Sequence, residues 1–220
     1  MKRQETKTEN KKSTIHIPPI ELPQIRIPIV GDSYYVQHKF SAKARLAIME
    51  KQEQGAQAQK GKKRAARDFG KEYKEAMHIS EQGWNGIPVM AFKGAMVDVC
   101  RMVGYKMTLA KQSFFVKGDG FDREEEGTEL VKIIKGEPTR QDRTVRLETG
   151  VCSVVARPFW PIGWEATVTV EYDGDQFTAE DVVNLLNRAG RQVGIGEGRA
   201  FSKNSCGCGW GSFRVKEGKK

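Results

Sequence analysis

The run Trp164-Glu165-Ala166-Thr167-Val168-Thr169-Val170-Glu171-Tyr172 alternates apolar and polar side chains for nine residues without a break. A period of two sends one set to each face of a sheet, so this segment is a strand buried on one side. Shortly after it, Thr178 is placed to cap a helix whose third position is Asp181. Val182, Leu185, Leu186 and Ala189 line one face of that helix, and Gly190 ends it. Ser212-Phe213-Arg214-Val215 then reads as a last strand. A strand, a helix and a strand joined by a glycine-rich connection require a mixed sheet-and-helix fold.

The rest of the chain supplies the other elements. Residues 1–14 are polar and aperiodic and read as a disordered arm. From Ile15 to Val30 apolar residues alternate, but the prolines delete ladder donors, which suggests an edge or arm rather than an interior strand. Ser33-Tyr34-Tyr35-Val36-Gln37-His38 reads as the first strand. Residues 41–80 form an inserted basic helical arm, with Phe69, Tyr73 and Met77 at helical spacing. Between Pro88 and Val103, the residues Val89, Phe92, Met96, Val99 and Val103 mark one helical face, and Gly104 follows as a stop. Ser113–Lys117 is a strand, and Leu130–Ile134 and Val151–Ala156 belong to inserted β-hairpins spanning 118–160. The order predicts an α+β fold: a ferredoxin-like (RRM-like) β-α-β-β-α-β sheet with a helical insertion and an extra hairpin layer, forming a single domain over 15–220.

The net charge of +9 is unevenly distributed. Residues 39–78 carry 11 Lys/Arg against 5 Asp/Glu and residues 188–220 carry 8 against 2, whereas 79–187 carry 12 against 17. Two basic blocks around an acidic middle give an oriented field that attracts phosphate backbones. Four cysteines without framework spacing point to a reducing compartment. With no apolar run long enough to span a bilayer and a polar start, the expected location is the cytoplasm.

The segment Gly190–Gly211 is the functional candidate. Its glycines run G-x-G-x-G after a helix, unlike a dinucleotide fingerprint, and no Gly-Lys-Ser/Thr follows as in a P-loop. Gly194, Gly196 and Gly198 permit close approach of a ligand backbone, and Arg191, Arg199, Lys203 and Arg214 stand within or beside them. Phosphate is the group such a surface receives. The same glycines are equally suited to tight turns between helix and strand. Trp210, between two glycines, is placed either to stack on a base or to plug the core. The arm adds Lys60, Lys62, Lys63, Arg64 and Arg67 as a second cationic patch.

A glycine-rich loop between the second helix and the last strand of such a sheet resembles the RAMP superfamily, CRISPR-associated proteins that bind or process guide RNA. The residues concerned are Val193-Gly194-Ile195-Gly196-Glu197-Gly198-Arg199 and Gly207-Cys208-Gly209-Trp210-Gly211. The resemblance implies RNA held across the sheet and loop, with the basic arm closing over it. The long arm and the central hairpins depart from the minimal pattern. The same segment, with Gly83-Trp84-Asn85-Gly86 and Phe92-Lys93-Gly94-Ala95-Met96, is also similar to uncharacterised bacteriophage proteins.

For catalysis of the RAMP type, His38 is the histidine that this topology places well, and it lacks a second acid/base partner in the sequence. His16 and His78 fall in the two arms. Cys206 and Cys208 are too close for a zinc knuckle, and Asp119, Asp122 and Glu124–Glu126 read as a solvated acidic turn, so no metal or cofactor is expected. The expectation is a non-catalytic protein that binds RNA or single-stranded DNA, as a homo-oligomer and without a membrane. The alternatives are a phage structural protein and a metal-independent endoribonuclease using His38.

Overall fold

The computed structural model describes residues 17–40, 42–53, 66–146, 150, 152–201 and 207–217. Strands β1 (Gln24–Gly31) and β2 (Tyr35–Val36) precede helices α1 (Ala42–Glu53) and α2 (Phe69–Glu75). A short β3 (Gly86–Pro88) runs directly into α3 (Val89–Met102), followed by α4 (Met107–Ser113), β4 (Phe114–Lys117) and β5 (Gly120–Phe121). Then come β6 (Glu129–Lys135), β7 (Thr139–Arg146), β8 (Cys152–Trp160) and β9 (Glu165–Tyr172). Helix α5 (Ala179–Arg188) continues as one π-helical turn, Ala189–Val193, and β10 (Phe213–Val215) closes the order.

In the main sheet β1 lies between β10 and β9, antiparallel to both. The far edge of β9 is shared, by β4 along its C-terminal half and by β6 near Glu165. Strands β10, β1, β9 and β4 with helices α3 and α5 make the ferredoxin-like arrangement. Ile27, Ile29, Val168, Val170 and Phe213 point to one face, where Phe92, Met96 and Val99 of α3 and Val182, Leu185 and Leu186 of α5 are buried. The capping box of α5 forms as its sequence indicates, with the Asp181 N–H donating to Thr178 Oγ1 at 3.2 Å and the Thr178 N–H to Asp181 Oδ2 at 3.0 Å.

Two strands differ from expectation. The central strand is Gln24–Gly31, within the proline-rich run, while Tyr35–Val36 belongs to a second sheet. Ladder geometry explains how the prolines are tolerated. Pro23 O accepts from the Tyr172 N–H, and the Gly31 N–H donates to Trp164 O, so odd-numbered residues of β1 bond to β9 and even-numbered ones face β10. Pro28 is even-numbered and sits at the last rung of the short β10, where its carbonyl still accepts from the Lys216 N–H at 2.8 Å. The second surprise is β7. Its sequence, TRQDRTVR, lies in the span assigned to hairpins but shows no apolar alternation that would single it out as a strand, yet it pairs with β8 over eight residues as the edge of a sheet ordered β2–β8–β7. Polar side chains suit a solvent-facing edge. Tyr35, Trp160 and Trp164, with ring centroids 5.3 and 5.4 Å apart, join this sheet to the main one.

Candidate nucleic-acid interface

After the π-helical turn, the chain crosses the end of β2 and returns beside itself to enter β10. Much of its backbone is satisfied internally: the Ile195 N–H donates to Gly211 O, Glu197 N–H to Val36 O, Gly211 N–H to Tyr34 O and Trp210 N–H to Gly198 O, at 2.7–3.2 Å. Gly196 and Gly198 have φ near +79° and +75°. A Cβ on Gly198 would overlap the Trp210 ring, and one on Gly196 would meet Val36 O and the Tyr35 ring. Both glycines are therefore required by geometry, whatever ligand they meet. Their own N–H groups make no hydrogen bond among the described residues.

These two glycines line a cavity of about 490 Å³ together with Gln37, His38, His78, Ala91 and Arg199. Pro88, also in its wall, starts α3 without a side-chain cap, so the positive end of that helix faces the same space. Three further cavities adjoin it through shared wall residues. Ala91, Gly196 and Arg199 are shared with a cavity running along Gly94 and Asp98 of α3. His38 is shared with one reaching Arg67 and Arg157. Glu197 is shared with an apolar cavity beneath Trp210. The result is a row of adjoining cavities, a groove region along the glycine-rich connection.

His78 is a wall residue that the sequence did not single out. Its Nδ1 lies 2.8 Å from Asp122 Oδ2, while Asp122 Oδ1 accepts from Lys39 Nζ at 2.7 Å and from the Glu124 and Glu125 N–H groups. Asp122 is fully buried at its side chain, and Lys39 nearly so. The turn read as solvated is thus anchored at Asp122. Burial pushes the Asp122 carboxyl up, but hydrogen bonds from Lys39, the Glu124 N–H and His78 outweigh this and hold it below the usual carboxylate range. His78, Asp122 and Glu125 bring possible metal-ligand atoms within 4.8 Å of one another. The Lys39 ammonium already supplies the positive charge at this cluster. Gln37 fixes the other side, accepting from the His78 N–H at 2.9 Å and donating to Gly86 O and Tyr35 Oη.

His38 stands half-exposed, with Nδ1 4.0 Å from Glu197 Oε2. Burial first, and then the Arg157 charge, push its pKa down against the opposing pull of Glu197 and Glu72. The Arg157 guanidinium holds Glu197 through Nε at 2.7 Å.

The other candidate cations divide. Arg199 is in the groove wall, where its Nη1 donates to Gly196 O at 3.2 Å. Arg67 reaches the adjoining cavity while bonded to Glu72 and to Ser153 Oγ. Arg191 and Arg214 both pair with Asp32 and line none of these cavities. Lys60, Lys62, Lys63, Arg64 and Lys203 lie outside the described residues. Trp210 packs its ring against Gly198 and edge-on to Phe159 at 5.2 Å, and remains partly exposed.

No protein-family model matches the chain, and neither does any curated protein. A solved structure does: a chain of the cryo-EM structure of the Type III-B Cmr-beta bound to cognate target RNA. The TM-score is 0.53 over 88% of this chain at 10% sequence identity, and the match spans 58% of that chain. The likeness is one of fold. Among the described residues, no helix is long and apolar enough to cross a membrane.

Proposed function

We propose that this chain binds single-stranded nucleic acid, RNA in preference to DNA, along the groove beside the glycine-rich connection. The observation that carries the reading is that one cavity is lined by Gly196 and Gly198, whose N–H groups make no hydrogen bond among the described residues, by the uncapped start of α3 and by Arg199. Backbone donors, a helix dipole and a guanidinium together are what a phosphodiester needs. The adjoining cavities on either side let a strand run through. The basic block at 39–78, of which Arg67 reaches the groove, adds longer-range attraction. The likeness in fold to a chain from an RNA-bound assembly supports RNA as the first ligand to try. Several copies would follow one another on a long strand.

Filter binding of a labelled single-stranded RNA tests the proposal. Affinity should fall steeply with salt, with a log–log slope of roughly −0.7 per phosphate contact. Absent or salt-independent binding would refute it.

One observation favours a second reading, cleavage of the bound strand. His38 and His78 line the same cavity, supplying the pair of acid/base groups that a single histidine lacks. In that reading one imidazole accepts the 2′-hydroxyl proton as its oxygen attacks the adjacent phosphorus. The P–O5′ bond breaks, the other imidazole protonates the leaving 5′-oxygen, and the products are a 2′,3′-cyclic phosphate and a 5′-hydroxyl. Incubation of end-labelled RNA in chelator decides this. Metal-independent cyclic-phosphate ends that vanish in both His38→Ala and His78→Ala support cleavage, and an intact strand removes it.

A further inference from the structure

The apolar cavity beneath Trp210 has a form that the main cavity lacks. Its volume is about 390 Å³, and its floor is one face of the β7–β8 pair, with Val155 and Phe159 buried beneath it. Trp210 makes one wall, and the exposed Arg143 guanidinium lies 4.9 Å from the Phe159 ring centroid and 5.2 Å from that of Trp210. A flat aromatic wall, an apolar floor and a planar cation form a slot for a flat heterocycle, since bases stack on aromatic rings and on arginine planes.

The polar end of the slot is more selective. It holds Glu197 and Arg157, joined through Oε2 and Nε at 2.7 Å. Arg157 uses Nη1 on Ala156 O, and neither Glu197 Oε1 nor Arg157 Nη2 makes a hydrogen bond among the described residues. The carboxylate can accept twice more, at the open Oε1 and at the second lone pair of Oε2, so with the Arg157 donor it matches a base edge that sets two adjacent donors next to an acceptor. Guanine presents that edge, with N1–H and the 2-amino group as donors and O6 as acceptor. Adenine and cytosine each offer one amino donor beside a ring nitrogen acceptor, and uracil has no amino group.

We infer that this slot takes a single guanine base, unstacked from the bound strand, with its ring against Trp210 and its Watson–Crick edge on Glu197 and Arg157. The inference rests on the nucleic-acid reading of the groove, because Glu197 also lines the main cavity and so links the base position to the phosphate position.

Titration of the intact protein with GMP, AMP, CMP and UMP, followed by tryptophan fluorescence and calorimetry, tests it without any variant. GMP should bind at least tenfold more tightly than the other three and quench fluorescence, and Trp210→Phe should lose the quenching. Glu197→Gln should remove the GMP preference; IMP, which lacks the 2-amino group, should bind the parent protein more weakly than GMP. Equal affinity for all four nucleotides, or GMP quenching that persists in Trp210→Phe, overturns the slot. A parallel titration with U-only and single-G oligonucleotides separates the two ideas. Salt-sensitive binding of both without preference would overturn the slot while leaving the groove. GMP selectivity without oligonucleotide binding would support the slot and remove the groove.

Discussion

His78 Nδ1 lies 2.8 Å from the buried Asp122 Oδ2. Because Lys39 and two backbone N–H groups keep that carboxylate ionised, the proton between the pair belongs to His78 Nδ1. In neutral His78, Nε2 is then the acceptor nitrogen, on a residue that lines the groove.

Asp122→Asn should destabilise the protein by about 3 kcal/mol, since it leaves the buried Lys39 ammonium with only the half-exposed Glu124 carboxylate at 3.1 Å. The pH dependence follows from the depressed pKa. The Asp122 contribution is complete above the unfolded value of about 3.9 and is lost as pH falls through the lower folded value. Urea midpoints from pH 6 down to pH 2.5 should fall steeply for the parent protein and more gently for the variant. Parallel curves would show that Asp122 is not the controlling group.

Gly198→Ala should destabilise by about 2 kcal/mol or more, combining a left-handed backbone with overlap on Trp210. Gly94→Ala is the control: a Cβ there meets nothing within 4 Å, and alanine favours helix by about 1 kcal/mol. Thermal melting should move the two variants in opposite directions.

Arg199→Ala should weaken RNA binding and reduce the salt slope by about one phosphate contact, whereas Arg191→Ala should leave both nearly unchanged. The difference arises because Arg199 is in the groove wall and Arg191 is held on Asp32. Filter binding over a salt series compares them. Equal losses would place the ligand on the Asp32 side.

His38 has its pKa pushed down by burial and by Arg157, so it is largely neutral at pH 7. Lowering the pH through its depressed pKa should charge it and tighten RNA binding. Its neighbours Glu197 and Glu72 pull the other way. Dissociation constants from pH 8 to pH 5 at fixed ionic strength should show a smaller acid gain in His38→Gln than in the parent.

Much of the fold can be read from periodicity. Trp164–Tyr172 and the Thr178–Asp181 box appear as strand and cap because local pattern and tertiary role agree. The prolines of β1 misled because propensity records a missing donor without its direction, and Pro28 faces the rung where β10 stops. The glycine-rich connection was visible from composition, including Arg199. The His78–Asp122–Lys39 cluster was not, since its members are separated by up to 83 positions and meet only after β2 and the acidic turn fold together. Acidic residues in a row resemble solvent-facing turns, and a burial difference between Asp122 and its exposed neighbours leaves no mark in spacing. Arg191 and Arg214 looked equivalent to Arg199 because sequence proximity to glycines does not reveal the Asp32 carboxylate between them.

The short β10 has a consequence for amide exchange along β1. Ile25, Ile27 and Ile29 direct their N–H groups to β9 and should retain their protons for long periods in deuterated buffer. Gln24 and Arg26 point to the side that β10 does not reach, where no acceptor is present among the described residues. Within one central strand, protection should therefore alternate residue by residue, from slow to nearly free, until Val30 meets Arg214.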